Sequence, residues 1–351
     1  MRLRSIVLIL FALGGVAIGV TVLTAPPVQY PKIVPASGAG SPIATEHLFR
    51  FENGTETLRV ALDPAVYHGA KANAKEVRLR EEIPEEEWMQ GAYLVQIGDP
   101  AQEPFYADLL SGFRTIRDRE ALDDDRYLEL LATAVQQLPY TTAPGTAAKY
   151  PIETWGDRSG DCDDKSLLLA GLLAREGYRV ALLVFLAEAH MAVGIGCPPG
   201  YGYNGTGYAY IEVTNTSFVG AVPDEIGTGV RLVSSPLVVP VGNGTREYGA
   251  LAETAAIEAV RKESGARVDL LGPEIEGRKA ALEETERRLN LLSSSGDHPR
   301  FDSEYLRYRA DAAACDRLVD EHNRLVQLLN YISSHEHDRI GTAAYVSAHP
   351  I

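Results

Sequence analysis

The helix signalled by Leu167, Leu168, Leu169, Leu172 and Leu173 has almost no polar face, and this constrains the fold more than any other stretch of the chain. A helix that is apolar nearly all round has to be enclosed by other elements, so the domain must be built around it. Gly177 stands where such a helix ends, at a C′ position that favours glycine. Its start is the run Gly160-Asp161-Cys162-Asp163-Asp164-Lys165-Ser166. A cysteine there sits at the positive end of the helix dipole, beside backbone N–H groups that can stabilise a thiolate. Asp163 and Asp164 suit a first helical turn, but their charge opposes a thiolate unless a cation stands closer.

Segments 179–186, 190–195 and 208–214 follow, rich in Val, Ile, Tyr and Phe with Gly and Pro between them. They predict an antiparallel sheet packed on the buried helix, an α+β arrangement. A further β-like stretch runs over 230–241. Upstream, Leu48 to Glu52 and Thr55 to Leu62 flank Asn53-Gly54, a pair suited to a type I′ hairpin turn. The segment 63–100 is mixed and charged and yields no assignment. Asp123-Asp124-Asp125 caps an amphipathic helix with Tyr127, Leu130, Leu131, Ala134, Val135 and Leu138 on one face. Beyond about Glu247, Ile275, Leu282 and Leu289 recur at heptad spacing, as do Leu318, Leu325 and Ile332. Ser293-Ser294-Ser295-Gly296 separates the two series, which predicts an antiparallel helical hairpin.

The first 24 residues bear on location. Arg2 and Arg4 precede an apolar run from Ile6 to Leu23, and Pro26-Pro27 follows. That run can just cross a hydrocarbon core of about 30 Å, with the basic end in the cytoplasm. The pattern fits a single-pass signal-anchor with an extracytoplasmic body; a cleaved signal peptide is the alternative. Sequons at Asn53, Asn204, Asn215 and Asn243 are compatible with export and glycosylation. The expected order is an anchor over 1–24, a flexible stalk over 25–45 and a β-containing region over 46–122. A core over 123–245 and a helical hairpin over 246–351 complete it.

With 33 basic and 48 acidic residues, the chain does not have the balance of a nucleic-acid binder. Three cysteines are too few for a disulfide scaffold. Asp161, Asp163 and Asp164 lack the alternate spacing and terminal Glu of an EF-hand loop. His335 and His337 have no third ligand nearby, so no metal or cofactor is expected.

A thiol nucleophile needs a base, and His190 is the only histidine between His68 and His298. Strand alternation puts His190, Ala192 and Gly194 on one face. The base needs a partner that fixes its tautomer, and Glu212 lies in an otherwise apolar strand segment.

Taken together, Tyr150-Pro151-Ile152-Glu153-Thr154, Gly160 to Ser166, Glu188 to Gly194 and Tyr210-Ile211-Glu212-Val213-Thr214 resemble the transglutaminase-like cysteine peptidase family. The resemblance covers roughly residues 126–225. It implies a papain-related core in which a cysteine at a helix N-terminus packs against an antiparallel sheet carrying His and then an acid. Carried over by position, Cys162 is the nucleophile, His190 the base and acid, and Glu212 the orienting acid, where the commonest pattern has Asp. By the same resemblance Gln136 could donate to an oxyanion, its alternative being an exposed polar residue late in a helix. The implied partner is a protein or peptide substrate, and the hairpin could add a helix-mediated partner or self-association. The alternative to an enzyme is a catalytically inactive scaffold of the cell envelope.

Overall fold

The computed structural model describes residues 26–351 except 39, 143–144 and 228. The expected anchor over 1–24 therefore lies outside the described residues. Among those described, no helix is long and apolar enough to cross a membrane.

The chain begins with β1 (Val28–Gln29), which pairs antiparallel with the later β4 (Arg78–Leu79). Of the stalk expected over 25–45, the stretch from Val28 to Ala36 is thus docked on the body. Ile33 is buried, its N–H donates to Asp99 Oδ2 at 2.8 Å, and the N–H of Ala36 donates to the carbonyl of Ala65. Proline-rich backbone is already extended, so docking it on the core loses little freedom.

The hairpin β2 (Ile43–Phe51) and β3 (Gly54–Leu62) forms as the alternation predicts, but with its turn moved by one residue. Phe51 pairs with Gly54, so the two-residue loop is Glu52-Asn53, and of these only Glu52 has positive φ, 48°. A type I′ turn needs positive φ at both positions. Arg126 grips the Glu52 carboxylate with two bonds of 2.6 Å, a tertiary contact that overrides the preference of Asn-Gly.

Two helices fill the stretch 63–100 that the sequence left open, α1 (Pro64–Ala72) and α2 (Glu85–Gly98), and α3 (Glu103–Glu120) follows it. Next come α4 (Asp124–Gln136), capped by Asp123, then α5 (Pro151–Asp157) and α6 (Cys162–Arg175). Asp161 caps α6 in a reciprocal box with Asp164, and Gly177 (φ 78°) follows its C-terminal turn. One apolar core runs unbroken from Ile33 through Phe113 and Tyr127 to Leu251, so the boundary expected at 122/123 does not divide the structure.

The sheet has the order β7-β6-β5-β8 and is antiparallel throughout, with β5 (Val180–Phe185), β6 (His190–Gly196), β7 (Tyr208–Ile211) and β8 (Leu237–Val241). Met191, Val193 and Ile195 join the main core on the α6 side. Leu183, Phe185, Ala192 and Tyr210 form a smaller core on the other face. Helices on antiparallel sheets make this an α+β fold.

Two strands are shorter than the sequence predicts, because acidic side chains take up backbone donors. Glu188 accepts from the N–H groups of Val233 and Ser234, and β8 begins only at Leu237. Glu212 accepts from the N–H groups of Val213 and Thr214, and β7 stops at Ile211.

Two long helices follow, α7 (Leu251–Ser295) and α8 (His298–Ser334), turning at Gly296 in the left-handed region. Their ion pairs Arg288–Glu304 and Arg267–Glu321, with Arg261 meeting Glu336 just beyond α8, run in opposite register, which makes them the expected antiparallel hairpin. The last helix, α9 (Arg339–Ala348), closes over the hairpin's root, where buried Arg339 pairs with Glu129 of α4 at 2.5 Å.

Candidate active site

Cys162 is the first residue of α6 and buried, 7% exposed. His190 is the first residue of β6, at the sheet's end, where it can reach the helix terminus although the rest of its strand face points away from α6. Cys162 and His190 both line a cavity of about 390 Å³, with Tyr140, Ala189, Thr214 and Ile226 among its walls. The structure thus brings together the first two members of the predicted trio.

The third member is adjacent. Glu212 Oε2 lies 3.4 Å from His190 Nε2, and both side chains are buried. Its Oε1 accepts from the N–H groups of Val213 (2.9 Å) and Thr214 (2.8 Å) and from the Thr214 hydroxyl (2.7 Å). Burial alone would raise this carboxyl. The His190 imidazole close by, with the hydrogen bonds from Tyr210 and Thr214, more than offsets that and holds it at about 2. A second residue, not singled out in the sequence, enters here: the Tyr210 hydroxyl stands 3.1 Å from His190 Nε2 and donates to Glu212 Oε2 at 2.6 Å. Its signal was its spacing, since residues two apart on a strand share a face.

The thiol is not the depressed one that its place on the helix suggests. Burial, then the Asp163 and Asp161 charges, push Cys162 up to about 12, against the opposing pull of the Met191 backbone. The resting Sγ donates to Asp163 Oδ1 at 3.5 Å, not to the imidazole. The helix dipole is local and weak beside two carboxylates in a desolvated site.

Gln136 stands near the site in a different role from the one the resemblance implies. Its Nε2 donates to the carbonyls of Glu212 (2.8 Å) and Ser217 (3.0 Å), which leaves neither amide proton for an oxyanion. It clamps the backbone that carries the acid. Lys165, fully buried on α6, donates to the carbonyls of Gln136 and Leu138, both at 2.9 Å, and burial lowers its ammonium to about 8. Together these bonds connect the helix of Cys162, the end of α4 and the loop that follows Glu212.

All three cysteines are free and buried. Among the described residues, no group of three or more His, Cys, Asp or Glu side chains is placed to hold a metal ion. No family model, curated protein or solved structure compared with the chain matches it.

Proposed function

We propose that the protein is a thiol acyl-transfer enzyme that cleaves peptide or glutamine-type amide bonds. Cys162 is the nucleophile, His190 the general base and acid, and Glu212 the acid that orients it. The observation that carries this reading is a cavity lined by both Cys162 and His190, with Tyr210 and Glu212 buried behind the imidazole. Because the resting thiol is protonated, its proton passes to His190 as Sγ bonds to the carbonyl carbon. The N–H of Cys162, at the first position of α6, has no intrahelical acceptor and can face the developing oxyanion. Collapse of the tetrahedral intermediate breaks the C–N bond. His190 returns the proton to the leaving amine, and a thioester remains on Cys162. Water, deprotonated by His190, hydrolyses the thioester, whereas a lysine amine in its place gives a cross-link. The apolar run over 6–23 supports an anchored enzyme with its body outside the cytoplasm, acting on surface proteins.

The alternative, a scaffold that has kept the fold without the chemistry, is favoured by one observation: burial, with Asp163 beside it, holds the thiol neutral. An activated ester of a glutamine-containing peptide separates the two readings when the full chain is read by intact-mass and peptide mass spectrometry. The expected result is one acyl group on Cys162, with the rate lowered at least about 100-fold in His190→Ala. Acylation elsewhere, or at an equal rate in the variant, would establish the scaffold.

A further inference from the structure

We infer that Tyr210 is a positioning residue whose phenol is interposed between His190 and Glu212, so that the carboxylate orients the imidazole through a hydroxyl. The direct separation, 3.4 Å between His190 Nε2 and Glu212 Oε2, exceeds the usual range for an N–H···O bond of about 2.7–3.2 Å. Both legs through the phenol fall within range, 3.1 Å to Nε2 and 2.6 Å to Oε2.

Proton counting then fixes the direction of each bond. An ionised carboxylate only accepts, so the single phenol proton goes to Glu212. The phenol oxygen is left as an acceptor, and the group facing it must be an N–H. When neutral, His190 is therefore the Nε2–H tautomer, and its Nδ1 is then bare, the state a base needs to receive a proton.

The backbone makes this placement durable. Tyr210 lies opposite Gly194 on the neighbouring strand, on the sheet face shared with His190 and Ala192. Its ring packs against Tyr203 at 5.8 Å and Phe185 at 6.4 Å, in a core closed by Leu183 and Ala192. A phenol held on both sides cannot swing away to solvent. The arrangement also gives the glutamate a reason to be a glutamate. A shorter acid at position 212 would withdraw its carboxylate by about 1.5 Å, one carbon–carbon bond, and break the short leg.

The inference rests on the acyl-transfer reading only for the use made of bare Nδ1; the tautomer can be measured without any turnover. The experiment is nitrogen NMR of the full chain labelled with [15N]histidine, the His190 signals being identified among eight histidines by their loss in His190→Ala. The expected wild-type signature is a protonated Nε2 and a bare Nδ1, and Tyr210→Phe loses the fixed tautomer and gives averaged signals. Site-specific 3-fluorotyrosine at position 210 keeps the ring's shape and is expected to move the Nε2-bound proton resonance, which covers the case of a poorly folded Phe variant. A protonated Nδ1 in the wild type, or signals unchanged by both substitutions, would overturn the assignment. In the acylation assay Tyr210→Phe is expected to be about tenfold slower, the scale of one hydrogen bond. A wild-type chain that forms no acyl adduct would end the enzyme reading, while the tautomer would still decide the role of Tyr210.

Discussion

Helix α6 and the hairpin α7–α8 are made of the same local structure and held by opposite means. Eleven of the 14 residues of α6 are buried, including Lys165 and Ser166, whereas α7 buries seven of its 45. The hairpin relies on one seam, in which Leu271 and Ile275 meet Leu325, and on surface ion pairs. Helix α6 makes almost no surface at all. Side-chain identity is therefore constrained at nearly every position of the helix that carries Cys162, and at roughly one position in six of α7. Rigidity is concentrated where a thiol has to be held within reach of an imidazole.

The sharpest break of this contrast is Leu168→Ala. Leu168 is fully buried in the main core, and its truncation is expected to cost about 3–5 kcal/mol and to lower the midpoint of global denaturant unfolding. Glu212 tests the site end by pH. Its carboxyl falls from 4.5 to about 2 on folding, so its contribution is complete above the unfolded value and is lost as pH falls toward 2. That amounts to about 3 kcal/mol, and Glu212→Gln is expected to flatten the acid limb of a stability-versus-pH curve between those values. A loss of stability that is the same at pH 7 and pH 3 would contradict this. Leu325→Ala removes the centre of the hairpin seam at a cost of about 2 kcal/mol. Its signature is local: faster amide exchange in α7 and α8 with β5 and β6 unchanged. Exchange accelerated equally in the sheet would show that hairpin and core unfold together. At the small end, Arg278→Ala, which removes an exposed partner of Glu274 one turn away, is expected to change stability by less than about 0.5 kcal/mol.

What the sequence made legible follows the same division. Helix α6 and the strands around His190 carry dense apolar runs and the hairpin a heptad period, and each forms where that signal lies. Helix α3 is just as regular, with Phe105, Leu109, Phe113 and Ile116 buried on one face, but it sits beyond a charged stretch that conceals its start. Helix α2 has little stripe to read, since only Gln96 and Ile97 are buried. The remaining misses are tertiary. Glu52 moves a turn because Arg126 is there to meet it, and Gln136 turns to the carbonyls of Glu212 and Ser217, far from it in sequence. The ordered trio could be read from residue types alone. The thiol's resting state could not, because it depends on how deeply Cys162 and Asp163 are buried together.

The hairpin also has a mechanical meaning. At 1.5 Å per residue, the 45 residues of α7 measure about 68 Å along the helix, far longer than α6 beneath the sheet. Its turn at Gly296 is remote from the root, where Arg339, Glu129, Ile257 and Ile332 tie it to the body. A small force at that turn therefore becomes a large torque at the root. The root grips Glu129 on α4, the same helix whose last residue, Gln136, clamps the acid's loop.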